Sequence, residues 1–384
     1  MHWEYASRIP MVDNYDVIIV GGGIAGVSSA LAAVRQGSRV LLVEKHCNVG
    51  GLATLGLISW YLPVCDGKGN LVSTGIPQEL LEIAKTCTTA ITRKTYPAGD
   101  RMQTWFIPEE FAILLERLLI DQKCSILYDT TFIDVVCEGT RCIGVVLATK
   151  EGLSLYTANA IVDATGEASV LHRAKVATES RTNPFSCWYQ TTSKSGSIEM
   201  RMLGADAHGA FDHKRAGSGG YTGDNSQEVS NYMMSCRDAI LKDADIGNPD
   251  KDVMVVATPK IPQLRCVRRL IGYEKINESD CNRFVASSVG CVADWRTAGR
   301  VYELPFLSLF GKGIANIVAA GRCVSADDAA YEVLRCIPQS AATGQAAGTI
   351  AALYSQHLCL SSMAEMDIEV VQHALEDQGV RLHV

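Results

Sequence analysis

Apolar positions near the start of the chain follow two different periods, which together predict a strand, a helix and a second strand. Residues 17–20 form a short, uninterrupted apolar run, typical of a parallel strand that is covered on both faces. Apolar residues then recur at helical spacing until Gly37, which stops the helix: Ile24, Val27, Leu31 and Val34. A second apolar run covers residues 40–43. This order predicts the beginning of an α/β fold.

Three glycines join the first predicted strand to the helix in the spacing Gly-x-Gly-x-x-Gly. Gly21 allows a tight turn, Gly23 lets the backbone approach phosphates, and Gly26 lets the helix pack closely on the strand. The amino terminus of the helix would present free amides and a partial positive charge to a pyrophosphate. Glu44 follows the last glycine by roughly 20 residues, the spacing of an acid that holds a ribose hydroxyl. The sequence therefore predicts a dinucleotide site for NAD or FAD.

The pattern of apolar runs changes in the middle of the chain. Residues 125–163 alternate strand-like runs with turns, which predicts a small β-meander inserted in the α/β unit. A later apolar run, residues 317–320, again stops at a glycine. Pro338 then opens a helix rich in alanine and glycine, and proline is well placed in a first helical turn. A helix of such small residues lets another backbone or a flat ring come close.

These segments together resemble the FAD-dependent oxidoreductases of the glutathione-reductase-like FAD-binding superfamily, over nearly the whole chain. The segments that carry the resemblance are residues 21–26, Glu44, and residues 50–54, 163–166, 262–265, 320–326, 338–348 and 371–380. The first glycine motif alone leaves NAD and FAD open, whereas the resemblance implies FAD, bound as a prosthetic group. The family is defined by its cofactor site and shares no single substrate, so a reaction is implied only in outline.

The resemblance also implies which residues bind FAD. They are Gly21, Gly23, Ile24, Ala25, Gly26, Glu44, Lys45, Gly50, Gly51, Leu52, Ala53, Thr54, Ala164, Thr165, Gly166, Gly321, Arg322, Pro338, Ser340 and Ala341. The helix that opens at Pro338 is expected to direct its amino terminus at the flavin, where reduction places negative charge. Arg322 is expected beside the ribityl chain and ring, or else paired with a surface acid.

The predicted fold class is α/β: a Rossmann-like FAD-binding domain with an inserted β-meander and a discontinuous second α+β substrate domain. The FAD-binding domain is predicted over residues 14–85, 105–184 and 303–360. The substrate or cap domain is predicted over residues 86–104 and 185–302, and a helical extension over residues 361–384. Glycines at 217–223 have the wrong spacing for a second dinucleotide motif and predict a mobile loop.

Chemistry is expected near the helix that opens at Pro338. Arg335 precedes that helix and matches an arginine in the family's pattern. Its guanidinium could hold a substrate carboxylate or carbonyl, or stabilise charge on the reduced ring. The alternative is that it fixes the loop by bonding backbone carbonyls.

Two further catalytic candidates come from the rest of the chain. Arg265, with the arginines at 268 and 269, could bind an anionic group, or form a solvated edge paired with Glu274 and Asp280. Relatives often carry Thr-His-Glu after the Ser-Ala pair at 325–326, where this chain has two aspartates. Asp328 is therefore a candidate base, which requires burial to raise its pKa, unless the reaction differs. Single histidines, among them His208 and His213, are weaker candidates.

Composition narrows the class of function. A net charge of −7 argues against a general binder of nucleic acid or of anionic membranes. No export-signal pattern and no long apolar run is seen, which predicts a cytoplasmic protein. The 14 cysteines are scattered without any Cys-x-x-Cys pair, which predicts reduced, mostly buried thiols and no metal site. The expected partner is a small-molecule substrate, and the oligomeric state is left open.

The predicted function is hydride transfer between a small organic molecule and flavin N5, with an unidentified electron acceptor. A non-catalytic flavoprotein or electron-transfer subunit is the alternative from another class. A monooxygenase or halogenase on the same scaffold is a further alternative, although the Trp-x-Trp-x-Ile-Pro motif of flavin halogenases does not occur in the sequence.

Overall fold

Strands and helices alternate along the chain, as the apolar pattern predicts. The computed structural model describes residues 8–88, 102–193, 196–205, 220–357 and 360–384. The first elements are β1 (Met11–Val20), α1 (Ile24–Arg35), β2 (Val40–Val43), β3 (Trp60–Tyr61), α2 (Ile76–Thr86), β4 (Thr104–Trp105), α3 (Pro108–Asp121), β5 (Ser125–Leu127), β6 (Thr131–Glu138), β7 (Arg141–Thr149) and β8 (Gly152–Asp163). The later elements are α4 (Ser169–Arg173), β9 (Thr178–Ser180), β10 (Ser186–Ser193), β11 (Ile198–Gly204), α5 (Ser226–Asp243), β12 (Val253–Ala257), β13 (Arg268–Leu270), β14 (Ser288–Ala293), β15 (Val301–Pro305), β16 (Ile317–Ala319), α6 (Asp328–Leu334), α7 (Ile337–Gln356) and α8 (Ile368–Asp377).

A parallel sheet brings the carboxyl ends of five strands to one edge. Its order is β5, β2, β1, β8 and β16. Strand β8 changes partner along one side: residues 152–157 pair with β7 in the antiparallel meander, and residues 161–163 pair with β16. The predicted α/β sheet with an inserted β-meander is therefore confirmed.

Helices α1 and α7 cross with their backbones in close contact. A Cβ atom on Gly344 would overlap the carbonyl oxygen of Ala25, and one on Gly348 would overlap that of Ser29. The Ser29 hydroxyl donates a hydrogen bond to the Gly344 carbonyl at 2.9 Å. The small residues of α7 at 344 and 348 thus admit the backbone of α1, as the composition of this helix allows.

A second, smaller hydrophobic core lies between α5 and an antiparallel sheet of order β11, β10, β12. Tyr189 of β10 and Tyr232 of α5 are fully buried in it. These elements fall within the predicted cap domain. Val289 and Tyr302, which fall there as well, instead belong to the main core, because β14 packs beside α7 and β15 pairs with β14. The predicted domain boundaries stay a prediction.

Some predicted features fall on residues outside the described ranges. They are His208, His213, Gly217, Gly219 and most of the stretch 86–104. The cysteines in the described ranges are free thiols, and most of them are buried. In the same ranges, no helix is long and apolar enough to cross a membrane.

Candidate active site

A cleft with a volume of about 810 Å³ follows the carboxyl ends of β2, β1, β8 and β16. The loops after these strands form one wall, which we call the sheet wall. Residues 223–237 and 260–268 form the facing wall, which we call the cap wall. Open α/β sheets bind ligands at this edge of the sheet, and the volume suits a small-molecule site.

The glycine motif forms the centre of the sheet wall. Gly21 has φ of 104°, and a Cβ there would lie 2.5 Å from the Ala164 carbonyl oxygen. A Cβ on Gly26 would overlap the Gly21 carbonyl, so α1 packs against the turn as predicted. At Gly23, by contrast, a Cβ would meet nothing within 4 Å and would point into open space. The chain therefore leaves room where the pyrophosphate of a dinucleotide is predicted.

The amino terminus of α1 faces this space. Ile24 and Ala25 line the cleft, and no side chain caps the helix at Gly23. The first amides of a helix have no partner within it and attract an anion. A pyrophosphate fits both the free amides and the room above Gly23.

Glu44 lies at the end of β2 and lines the same cleft. Its carboxylate is buried, and its two oxygens accept hydrogen bonds from the Gly22 amide at 2.7 Å and the His46 amide at 2.8 Å. These bonds fix the side chain, and each oxygen keeps a free lone pair. The position suits the predicted role as acceptor for a ribose hydroxyl. Lys45 lines the cleft beside it.

The glycine pair at 50–51 packs against the turn of the first glycine motif. The Gly50 amide donates to the Gly22 carbonyl at 2.8 Å, and a Cβ on Gly51 would lie 3.0 Å from the Cα of Gly23. The residues of this loop that line the cleft are Gly50, Gly51, Leu52 and Ala53. Thr54 is not among the cleft-lining residues, because it is buried and its hydroxyl donates to the Val49 carbonyl at 2.6 Å. It supports the loop from behind.

The loop after β8 adds Ala164, Thr165 and Gly166 to the sheet wall. The Asp163 carboxylate lies fully buried below them and accepts the Thr165 hydroxyl at 2.7 Å and the Leu171 amide at 2.9 Å. Burial raises the pKa of Asp163, against the effect of these hydrogen bonds. The carboxyl group holds the loop in place.

Arg322 connects the two walls. Its guanidinium lines the cleft and donates to the carbonyls of Leu264 at 2.5 Å and Arg265 at 3.1 Å. No carboxylate among the described residues pairs with it, so the alternative of a surface ion pair is wrong for this part of the chain. Gly321 does not line the cleft; its φ is 62° and a Cβ there would lie 2.6 Å from the Cβ of Ala25.

The amino terminus of α7 reaches the cleft through Ile337 and Ser340. Pro338 and Ala341 are buried away from the cleft lining. Of the predicted FAD-binding residues, those that do not line the cleft are Gly26, Thr54, Gly321, Pro338 and Ala341. All of them shape the backbone beneath residues that do line it.

Arg335 lines the cleft next to this helix terminus. Its guanidinium bonds a Glu332 carboxylate oxygen through Nε at 2.9 Å and Nη2 at 2.8 Å. Arg265 and Arg181 each lie 3.9 Å from the same carboxylate. Burial would raise the pKa of Glu332, but the three arginines outweigh it and hold that pKa below its ordinary value. Arg335 is thus fixed by a carboxylate and not by backbone carbonyls.

Asp328 does not have the surroundings predicted for a base. Its side chain is 64% exposed and lies outside the cleft lining. It pairs with Arg269 at 2.6 Å and Arg181 at 3.2 Å. Burial is the largest single effect and would raise the pKa of Asp328, but the hydrogen bond from Arg269 and the charges of Arg181 and Arg269 together outweigh it and lower that pKa below its ordinary value. The expectation of a raised pKa at this carboxylate is therefore wrong.

The three arginines at 265, 268 and 269 also have different partners from those predicted. Arg269 is buried and pairs with Glu179 and Asp328, not with Glu274 or Asp280. Arg265 lies beside Glu332 outside the cleft lining. Of the three arginines at 265, 268 and 269, Arg268 lines the cleft.

Several cleft residues were not predicted from the sequence. They are His46, Thr130, Thr131, Phe132, Glu167, Ser169, Lys260 and the face of α5 made by Ser226, Val229, Ser230, Met233 and Arg237. Helix α5 had a recognisable start, since Asn225 accepts a hydrogen bond from the Glu228 amide at 2.9 Å. His46 gave no comparable signal in the sequence. Its Nε2 atom is buried and has no hydrogen-bond partner among the described residues.

Comparisons with known proteins identify the family. The model of the family described as FAD dependent oxidoreductase matches residues 16–184 and 224–375. The enzyme MnmG, which carries out tRNA uridine 5-carboxymethylaminomethyl modification, is 31% identical over 142 residues in Treponema pallidum, covering 35% of this chain and 21% of that protein. MnmG of Streptococcus suis is 30% identical over 168 residues, covering 41% of this chain and 24% of that protein. The chain thus matches less than a quarter of the length of these relatives.

Two solved structures are similar over most of the chain. The OxyS anhydrotetracycline hydroxylase from Streptomyces rimosus has 12% identity and a TM-score of 0.49, over 95% of this chain and 66% of that one. A geranylgeranyl bacteriochlorophyll reductase-like protein from Thermoplasma acidophilum has 13% identity and a TM-score of 0.47, over 97% of this chain and 93% of that one.

Proposed function

Because the chain belongs to the family of FAD-dependent oxidoreductases, we propose that it is an enzyme that moves a hydride between a small organic substrate and N5 of FAD. The observation that supports this proposal is the second wall of the cleft. A dinucleotide-binding fold requires only the sheet wall, whereas the cleft continues to α5 and to residues 260–268. This cap wall gives a substrate a place beside the cofactor.

The sheet wall holds the cofactor at separate points. The amides of α1 and the room above Gly23 receive the pyrophosphate, and Glu44 accepts a ribose hydroxyl. Strands β2 and β16 are three strand spacings apart, about 14 Å at about 4.8 Å each. The separation of these strand ends leaves room for a dinucleotide that lies across them, with Glu44 after β2 and Arg322 after β16. When bound, FAD supplies the atom that accepts or gives the hydride.

The chain contributes fixed positive charge at the other end of the cleft. Arg335 and the uncapped amino terminus of α7 both border it. Glu332 holds the guanidinium of Arg335 in place, so it does not need to reorganise when negative charge develops nearby. Preorganised donors of this kind stabilise such charge far better than mobile ones.

The cap wall also offers an apolar surface from which a bound substrate would displace water. Val229 and Met233 of α5, with Pro262 and Leu264, present apolar surface to the cleft. Removing water strengthens every electrostatic interaction inside a site and suppresses side reactions. The arrangement is that of a half-open cleft with an apolar wall and charged groups at its edges.

The proposal is tested by the colour of the bound flavin. Purified protein is mixed without oxygen with pools of hydroxy acids, alcohols, amines and amino acids, and the visible absorbance is followed. We expect at least one pool to bleach the bound FAD while leaving free FAD unchanged. If dithionite bleaches the protein and no pool does, the enzymatic proposal fails and a non-catalytic flavoprotein takes its place.

A further inference from the structure

The cap wall has an excess of positive charge. Arg237, Lys260 and Arg268 line it, against Asp224 as its acidic residue. Asp224 is exposed at the rim, where it accepts a hydrogen bond from the Thr222 hydroxyl at 2.7 Å. Among the described residues, no carboxylate forms an ion pair with any of the three cations, although Arg268 is near enough to Asp224 for its charge to contribute, after the hydrogen bonds to that carboxylate, to lowering the pKa of Asp224. Unpaired cations that face a cleft create a positive potential inside it.

Arg268 is the cation whose position is best defined. Its Nε donates to the Glu167 carbonyl at 3.2 Å, and the side chain is half-buried. A carbonyl orients a guanidinium without neutralising it, and the terminal nitrogens are left for another acceptor. The planar fork of arginine matches a carboxylate in two parallel hydrogen bonds.

The cofactor does not account for these charges. The pyrophosphate site lies on the sheet wall, at Gly23 and the amides of α1, whereas Arg237, Lys260 and Arg268 belong to the cap wall. Arg268 also contacts the sheet wall, at the Glu167 carbonyl. Between the cations, the cap wall is apolar. Its apolar residues are Val229, Met233, Ile261, Pro262, Leu264 and Val267. Methionine adapts to ligands of irregular shape.

We propose that the substrate is an organic acid with an apolar body, a class that rests on the proposed function and makes it more specific. Arg268 binds the carboxylate, Lys260 and Arg237 add a positive field, and Val229 and Met233 contact the apolar body. Arg335, which lines the same cleft, then stabilises charge at the reacting part of the same molecule.

The test is a binding titration of the oxidised, FAD-loaded protein, followed by the change in the visible flavin spectrum. The probes are acetate, butyrate, hexanoate and benzoate, with butyramide and benzamide as uncharged counterparts. We expect saturable changes with the acids, at least tenfold weaker binding of the amides, and binding that tightens with chain length by roughly fourfold per buried methylene. Added salt should weaken the acids selectively.

Variants locate the carboxylate site. Arg268→Gln should raise the dissociation constant for benzoate at least tenfold and leave the FAD content unchanged. Arg283→Gln is the matched control, since it removes an arginine that is 68% exposed and paired with Asp280. Should Arg268→Gln fold poorly, Lys260→Met provides the second variant, with an expected loss of threefold or more.

Each outcome decides between the proposals. Equal binding of acids and amides, an unchanged affinity in both variants, or loss of FAD from Arg268→Gln would overturn the organic-acid inference. Bleaching of the flavin by neutral compounds, with no binding of acids, would leave the enzymatic function standing and remove this inference alone. Arg268-dependent binding of acids, with no bleaching by any pool, would support the ligand class and remove the enzymatic function.

Discussion

At the scale of single residues, Gly23 differs from the other two glycines of its motif. Gly21 and Gly26 are enforced by contacts within the chain, whereas Gly23 borders open space and has φ of −68°, which any residue can adopt. The lack of a side chain at Gly23 therefore leaves room for a ligand in the cleft. We expect Gly23→Val to fold normally and to lose FAD.

The measurement for Gly23→Val has two parts. The visible spectrum should show no bound flavin, and the melting temperature should equal that of the wild-type protein after FAD removal. A yellow Gly23→Val protein with full FAD content would contradict the placement of the pyrophosphate. A colourless protein that melts far below the wild-type apoprotein would show that Gly23 has a structural role instead.

The proposed role of Arg335 can be tested directly by a conservative substitution. Its paired bonds to Glu332 need the planar guanidinium, and lysine can make only one bond of that kind. We expect Arg335→Lys to keep its FAD and to slow reduction of the flavin by substrate at least tenfold, about 1.4 kcal/mol of transition-state stabilisation. Stopped-flow spectrophotometry without oxygen measures the rate. Loss of FAD with a lower melting temperature would favour a structural role.

At the scale of elements, the sequence predicted the units whose signal is local. The strand, glycine turn, helix, strand and acid up to Glu44 lie within one short segment, and each follows from spacing and side-chain type. The meander was predictable for the same reason. Helix α5 was not predicted in the cap region, although Asn225 marks its start. Its buried face, Tyr232, Met233, Cys236 and Ile240, is short and is surrounded by polar residues.

The candidate site was less predictable, because it depends on segments that meet only in the folded chain. Arg335 reaches Glu332 from three residues along the chain, but Arg181 and Arg265 converge on the same carboxylate from distant parts of the sequence. No spacing rule links those two arginines to Glu332. Asp328 was predicted as a base from its neighbours in the sequence, but in the folded chain it lies beside arginines that lower its pKa.

The crossing of α1 and α7 makes an element-scale prediction. A side chain on Gly344 would overlap the backbone carbonyl of Ala25, which cannot move aside without displacing α1. We expect Gly344→Leu to lower the free energy of unfolding of the apoprotein by about 1–3 kcal/mol or more, as overpacked cores do. Gly23→Ala is the control, since it adds a methyl group in open space. Equal stability of the two variants by chemical denaturation would contradict the close crossing.

At the scale of the whole molecule, one dinucleotide motif implies one nucleotide partner. The described residues show the Gly-x-Gly-x-x-Gly turn once, at the end of β1, and most of the predicted FAD residues line the cleft beside it. We therefore expect NADH and NADPH to reduce the bound FAD only slowly. Mixing each with the protein in an anaerobic stopped-flow instrument checks this. Rapid stoichiometric bleaching by either one would show a nicotinamide site that the sequence did not reveal.

The contact between α1 and α7 joins two helices that the ribosome makes at widely separated times. Ser29 and the Gly344 carbonyl that it bonds are 315 residues apart, so the ribosome needs roughly 15 to 60 seconds to make the second after the first. Throughout that interval the first helix has been made but lacks the helix that covers it. The cleft residues Arg322, Arg335 and Ser340 are also made at the end of that interval, so the complete site for FAD forms late in synthesis. A nascent chain that stalls before α7 emerges exposes a bare apolar surface to the chaperones and proteases around it.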